Sequence, residues 1–260
     1  MKGLARRSAT IPPTNGSTMT DLDRREQIAR NLAAVRERIA AAARRAGRDP
    51  AEVTLVAVTK TYPAADVLHL VALGVTEVGE NRDQEAAPKA AEVAAAGAAP
   101  HWHFIGQLQR NKARSVAAYA SMVQSVDSVR LAAALGEAAA RLRQTPLDVL
   151  VQLSVDGDPH RGGALPSGDD PDRALLRVAG AVAASPSLRL RGVMAVAPLE
   201  WAPDLAFAEV AKCATLVRAV HPDATVMSAG MSDDLDEAVA AGATHVRIGS
   251  ALLGMRPALR

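Results

Sequence analysis

Lys60 closes the apolar run Val53-Thr54-Leu55-Val56-Ala57-Val58-Thr59-Lys60. The run has the length and β-branched content of a strand buried on both faces. An ammonium at the end of such a strand either reaches solvent along its methylene stem or reacts as an amine. The ends of later apolar runs bear on that choice. They read Gly79-Glu80-Asn81-Arg82, His103-Phe104-Ile105-Gly106-Gln107, Ser125-Val126-Asp127-Ser128, Met227-Ser228-Ala229-Gly230-Met231-Ser232 and Arg247-Ile248-Gly249-Ser250. Polar and small residues at one end of so many strands form one constellation.

The last two ends suit an anion. Ser228, Gly230 and Ser232 lead into a helical stretch, and Gly249 and Ser250 lead into Ala251-Leu252-Leu253. Glycine lets backbone N–H groups approach a phosphate, serine adds a hydroxyl donor, and a helix start adds a favourable dipole. The plainer reading makes Ser232 and Ser250 helix caps and the glycines turns. Two such loops on the last two strands favour the phosphate. A lysine amine facing a phosphate site points to pyridoxal 5′-phosphate (PLP), whose aldehyde condenses with the amine while its phosphate anchors the other end. Arg247 is placed to face the pyridine nitrogen. A guanidinium stays charged and would keep that nitrogen unprotonated, making the ring a weaker electron sink. The alternative for Arg247 is a salt bridge to Glu80.

Other residues carry less. His101 and His103 share one side of a strand but lack a third ligand, so His103 reads as a packed, hydrogen-bonded residue. Asp233-Asp234 complement a helix start. His160-Arg161 sit on a long loop and read as solvated. Cys213 lies in a helical pattern and reads as an inert buried thiol. As a lone cysteine it allows neither an internal disulfide nor a cysteine zinc site, which suits a reducing cytosol.

The elements that must position these residues alternate along the chain. Strand-like runs fall at 53–59, 75–79, 101–105, 122–126, 147–154, 188–196, 224–227 and 244–248. Ala-rich helical stretches fill the gaps at 64–73, 83–96, 110–119, 128–143, 171–184, 203–219 and 232–241. Before them, Thr20 caps a helix over 21–46, with Ile28, Leu32, Val35 and Ile39 on one face and Gly47 as its stop. Eight alternations predict a parallel (β/α)8 barrel, a TIM barrel, with active groups at the C-terminal strand ends. The helix over 21–46 then replaces the one that would follow strand eight. An open doubly wound sheet is the alternative, but the first strand leads to Lys-Thr-Tyr-Pro and not to a glycine fingerprint. The Gly- and Pro-rich segment 155–170 reads as a mobile loop after strand five.

The 260 residues suit one such domain, over 20–260, and with aromatics at 2% the core must be aliphatic. The first 19 residues hold Lys2, Arg6 and Arg7 and no acid; without those charges the formal total of +2 falls to −1. A folded part so near neutrality offers no basic face for nucleic acid. No apolar stretch is long enough to span a membrane. Residues 1–19, with Pro12-Pro13 and Met19 just before the helix start, read as a disordered tail or as upstream codons.

Several segments together are similar to the YggS/PROSC family, the pyridoxal phosphate homeostasis proteins. They are Val56-Ala57-Val58-Thr59-Lys60-Thr61, Gly79-Glu80-Asn81-Arg82-Asp83-Gln84-Glu85, Trp102 through Lys112, Arg191-Gly192-Val193-Met194-Ala195, Ser228 through Asp234 and Val246-Arg247-Ile248-Gly249-Ser250. The resemblance spans roughly residues 21–255. It implies the alanine-racemase type of barrel, PLP fold type III, without the C-terminal β-domain of racemases. By position it implies that Lys60 forms the imine and that Asn81 and Met194 line the cofactor. Ser228, Gly230, Gly249 and Ser250 would hold the phosphate, with Arg247 near the ring nitrogen. Such proteins are regarded as cofactor carriers or regulators of vitamin B6 and amino-acid balance, without an established reaction. Three departures stand out. Thr59 replaces a usual serine, Ser250 replaces a common threonine, and His160-Arg161-Gly162-Gly163 replaces a lysine-glycine pattern.

Three functions compete. The first is a PLP-binding delivery protein in the cytoplasm, a monomer, with PLP-dependent apo-enzymes as recipients. The second is a minimal PLP-dependent amino-acid racemase or lyase using His103 or Tyr62 as base. Racemases of this type draw a tyrosine from their second domain, whereas only residues 249–260 follow strand eight here, and Tyr62 and Tyr119 lie elsewhere. Two-sided proton transfer then lacks a partner. The third is a cofactor-free aldolase using Lys60 on a sugar phosphate.

Overall fold

Thr20 begins the fold with a reciprocal cap. Its hydroxyl accepts from the Asp23 N–H, and the Asp23 carboxylate accepts from the Thr20 N–H. The helix it starts, α1, runs Asp21–Arg45 and buries Ile28, Leu32, Val35 and Ile39 as the spacing predicts. The computed structural model describes residues 20–158, 162–167 and 170–254. The segment 1–19 and His160-Arg161 lie outside them.

Eight strands follow: β1 Thr54–Val58, β2 Glu77–Glu80, β3 His101–Phe104, β4 Met122–Val126, β5 Leu147–Gln152, β6 Leu188–Met194, β7 Val226–Ser228 and β8 His245–Ile248. The helices between them are α2 Ala64–Ala72, α3 Asp83–Ala95, α4 Ala113–Tyr119, α5 Val129–Leu142, α6 Leu175–Ala183, α7 Pro203–Val220 and α8 Leu235–Ala240, with a short α9 at Ser250–Leu253. All neighbouring strands pair in parallel, and β1 pairs with both β2 and β8, so the sheet closes in sequence order. This is the TIM barrel that the alternation predicts.

Closure leaves two cores. One set of side chains faces the helices and is aliphatic: Val123, Val149, Val151, Val193 and Met227 pack with residues of α4 to α7. On the first and last strands, Ala57, Val246 and Ile248 pack with α1 and α8, so α1 does cover the gap beside strand eight. Each such Leu, Ile or Val is worth about 1.5–3 kcal/mol when fully buried. The alternate positions face the barrel axis. There the lining turns polar, with His103, Gln124, Ser228 and Arg247 all buried. No helix among the described residues is long and apolar enough to cross a membrane.

The structure departs from expectation at several boundaries. The helix expected from 232 begins at Leu235, behind Asp234 and not Ser232, so Ser232 does not cap it. The helix expected from 171 begins at Leu175, because Ala174 is drawn into a bridge with Leu165. A second bridge joins Leu153 to Ala164, and Arg173 donates to the Gly163 carbonyl at 2.6 Å. The described parts of the loop after β5, expected to be mobile, are therefore tied to the sheet. Cys213 is buried, and burial pushes its thiol up to about 11, which keeps it protonated.

His245 starts β8 inside the barrel. Burial pulls its imidazole down to about 4 from 6.5. The folded ring thus stays neutral where an unfolded one takes up a proton. Its contribution to stability is complete above pH 6.5 and is lost as pH falls from there to about 4. Replacing His245 by Gln should lower proton uptake on unfolding by about one per molecule within that window. Urea unfolding at a series of pH values measures it, and identical pH slopes in both proteins would refute the assignment.

Candidate functional site

Lys60 stands at the C-terminal mouth of the barrel, directly after β1. Its side chain is exposed, and no hydrogen bond or ion pair engages its amine among the described residues. The backbone around it is held firmly. Thr59 N–H donates to the Gly79 carbonyl at 2.9 Å, and Thr59 Oγ1 donates to Glu80 Oε1 at 2.6 Å. Lys89 Nζ donates to the same Glu80 oxygen at 2.6 Å and to the Thr59 carbonyl at 2.8 Å. Thr61 N–H donates to Glu85 Oε2 at 3.1 Å. Thr61 has φ +68°, a left-handed conformation unfavourable for a β-branched residue. Bonds on both sides impose it, and Lys60 leaves the strand from that corner.

Glu80 and Lys89 are both buried. Burial raises the Glu80 carboxyl above its usual range, against the hydrogen bonds from Lys89 and Thr59 that lower it. Glu80 Oε1 is thus taken by Lys89 and Thr59, and the expected alternative of a salt bridge from Glu80 to Arg247 does not form.

Arg247 has a different environment. Its Nη1 donates to Ser228 Oγ and its Nη2 to the Ala195 carbonyl, both at 2.8 Å. Each of these nitrogens carries a second N–H. No carboxylate lies within ion-pairing distance among the described residues. Burial lowers the guanidinium to about 10, opposed by the more distant Asp234, so it remains charged at neutral pH. A buried cation paired only with neutral acceptors is costly unless a ligand supplies the missing acceptor.

The two glycine loops flank this mouth. Gly230 has φ +91°, and a Cβ there would stand 2.6 Å from the Ala238 Cβ, so the loop after β7 lies flat on α8. A Cβ on Gly249 would stand 3.4 Å from the Val58 carbonyl oxygen, which puts the end of β8 beside the end of β1. Ser250 is exposed and opens α9, where the first N–H groups have no intrahelical acceptor. Asn81 is half-buried at the end of β2. Its carbonyl is approached so closely that a Cβ on Gly106 would lie 2.0 Å away. Met194 is buried with Met122, Leu150 and Val226.

Ser228 differs from expectation. Its hydroxyl does not face the loop but donates to Gln124 Oε1 at 2.7 Å inside the barrel while accepting from Arg247. Its one proton is therefore used, and the side chain serves the guanidinium. Ser232 offers its carbonyl to the Arg38 guanidinium. His103 is packed as expected, between Glu77 and Gln124. No cluster of His, Cys, Asp or Glu suited to a metal occurs among the described residues. Tyr62 donates its hydroxyl to the Gly254 carbonyl.

Sequence reading missed Gln124 and Lys89. Both left a signal. Gln124 is an amide at the centre of the apolar run Met122–Val126, where a polar group must find partners. Lys89 lies on the buried stripe of α3 with Ala86, Ala90 and Val93.

Residues 30–257 match the family model of the alanine racemase N-terminal domain. A Mycobacterium leprae protein named pyridoxal phosphate homeostasis protein is 45% identical over 244 residues, covering 89% of this chain and 94% of its own length. An Escherichia coli K12 protein of the same name is 38% identical over 237 residues, covering 88% and 97%. The chain belongs to the pyridoxal phosphate homeostasis protein family. PipY of Synechococcus elongatus PCC7942, solved with PLP bound, superposes with a TM-score of 0.73 at 33% identity, covering 87% of this chain and all of that one. Alanine racemase from Corynebacterium glutamicum, at 17% identity and a TM-score of 0.63, shares the fold and is covered over 63% of its chain.

The buried pair makes a stability test. Glu80→Leu strands the Lys89 ammonium and should cost about 3–5 kcal/mol, much of it regained when Lys89→Met is added. Denaturant titrations of the two single variants and the double variant measure the coupling, and strictly additive effects would show that the pair is not coupled.

Proposed function

We propose that this protein binds PLP and acts in the balance of vitamin B6 and amino acids as a carrier, with Lys60 condensing with the cofactor aldehyde. The observation that carries the reading is Arg247, a buried cation without a carboxylate at the same mouth as an unengaged lysine. A pyridine nitrogen with its lone pair is the neutral acceptor that a guanidinium N–H lacks there. When bound, PLP supplies an electron sink, made weak by a guanidinium at its nitrogen.

The residues present suit that group. Lys60 offers a free amine on a fixed backbone. The backbone of Gly230, Gly249 and Ser250 offers N–H donors for the phosphate, with the Ser250 hydroxyl beside them. Asn81 and Met194 would border the ring, and Arg247 would face its nitrogen. Ser228 reaches the cofactor through Arg247. The names of the relatives and the PLP in PipY support this assignment. We place the protein in the cytoplasm as a monomer, with PLP-dependent apo-enzymes as recipients.

The racemase or lyase reading asks for a second acid-base group. Tyr62 is engaged by the Gly254 carbonyl, and His103 is buried between two partners.

The test is the visible absorption spectrum of the protein with added PLP, before and after borohydride, followed by peptide mapping. The expected result is a yellow band that borohydride bleaches, with the pyridoxyl mass on Lys60. Lys60→Ala should lose the band entirely. A colourless protein that takes up no PLP would overturn the reading and leave the aldolase alternative for assay on sugar phosphates.

A further inference from the structure

A single chain of hydrogen bonds runs through the barrel interior behind Arg247. Arg247 Nη1 meets Ser228 Oγ at 2.8 Å, Ser228 Oγ meets Gln124 Oε1 at 2.7 Å, Gln124 Nε2 meets His103 Nδ1 at 2.6 Å, and His103 Nε2 meets Glu77 Oε2 at 2.7 Å. Five elements of the sheet contribute one residue each. Gln124 and Ser228 are fully buried, and His103 and Arg247 nearly so.

With the Gln124 carbonyl turned to Ser228, the two ends fix the direction of every bond between them. A guanidinium only donates and a carboxylate only accepts. Glu77 is firmly ionised: burial alone would raise it, but hydrogen bonds from His103 and His101 outweigh burial and hold it at about 2. Ser228 therefore accepts from Arg247 and gives its only proton to the Gln124 carbonyl. The Gln124 amide nitrogen then faces His103 Nδ1, which must carry a lone pair. That leaves the imidazole proton on Nε2, donated to Glu77. Turning the Gln124 amide over would need a second proton on His103, whose ring lies 6.3 Å from that of His245 and whose Nε2 meets Glu77, a carboxylate it shares with His101.

We propose that Gln124, backed by His103 and Glu77, is a positioning residue for Arg247. Its carbonyl holds the Ser228 hydroxyl as an acceptor, and that acceptor fixes the plane of the guanidinium at the cofactor mouth. The effect on the ring rests on the PLP reading above; the effect on Arg247 does not. Gln124→Met keeps the volume but removes the carbonyl, so the Ser228 hydroxyl turns and the guanidinium keeps only the Ala195 carbonyl as a fixed partner. Ser228→Ala removes the acceptor itself with a smaller change in packing.

Two readouts separate the claims. The first uses the cofactor-free protein: 15N–1H NMR of the arginine side chains, with Arg247 assigned from Arg247→Lys. Its guanidinium signals should be resolved and slow to exchange in the wild type and broadened or lost in Gln124→Met and Ser228→Ala. The second is a pH titration of the visible band after PLP loading, whose midpoint should move by about one pH unit in both variants. Gln124→Glu keeps an acceptor for Ser228 and should restore the guanidinium signals, which a loss of packing alone would not explain. Unchanged Arg247 signals in Ser228→Ala and Gln124→Met would overturn the proposal. A wild type that fails to take up PLP would sink the cofactor reading and leave the NMR result to decide this one.

Discussion

A guanidinium without a carboxylate sits inside the barrel, and much of the interior is arranged around it. Barrels of this kind fill their axis with side chains, and aliphatic ones pack there at no electrostatic cost. Here β3, β4, β7 and β8 contribute His103, Gln124, Ser228 and Arg247 in their place. The carboxylate at the far end of this chain of bonds is Glu77, reached only through Ser228, Gln124 and His103. In a low-dielectric interior aligned dipoles polarise one another, so the chain spreads part of the missing compensation across the barrel. It does not neutralise Arg247. The remaining demand for an acceptor points towards the C-terminal mouth, where Ala195 already gives up its carbonyl.

Two lysines show how the same fold separates support from chemistry. Lys89 comes from α3, is buried, and is bound to Glu80 and to the Thr59 carbonyl. Lys60 comes from the end of β1, is exposed, and is bound to nothing among the described residues. The first holds the peptide from which the second emerges. An amine can be both accurately placed and chemically free only if its neighbours take the structural bonds, and Thr59, Glu80, Lys89 and Glu85 take them. The end of β1, from which Lys60 emerges, lies beside the glycine loop that opens α9.

The barrel was legible because its signals are local and repeated. Parallel strands buried on both faces read as apolar runs, and each is followed by a helical period and a turn. Thr20, Gly47 and the stripe from Ile28 to Ile39 announced α1 without any tertiary information. The mouth was legible because strand order assigns polar ends to one side. What the sequence does not display is side-chain direction within a conformation that tertiary contacts choose. Ser228 belongs to a glycine loop by sequence, yet strand periodicity turns its hydroxyl to the axis. Glu80 and Arg247 have opposite charge and sit on β2 and β8, the two strands that flank β1, but Lys89, approaching from a helix, takes the carboxylate first. Gln124 stands out little within the run 122–126, because a lone amide has little weight in a periodic pattern, and its importance comes from His103 and Ser228 on other strands.

The central claim is that the acceptor missing at Arg247 is supplied by PLP held on Lys60. The most direct measurement is a crystal structure of the protein soaked with PLP. Continuous density from Lys60 Nζ into the ring, with the pyridine nitrogen at hydrogen-bond distance from Arg247 and the phosphate on the loops of Gly230 and Gly249, is the predicted result. Density for PLP elsewhere, or a ring nitrogen turned away from Arg247, would contradict it.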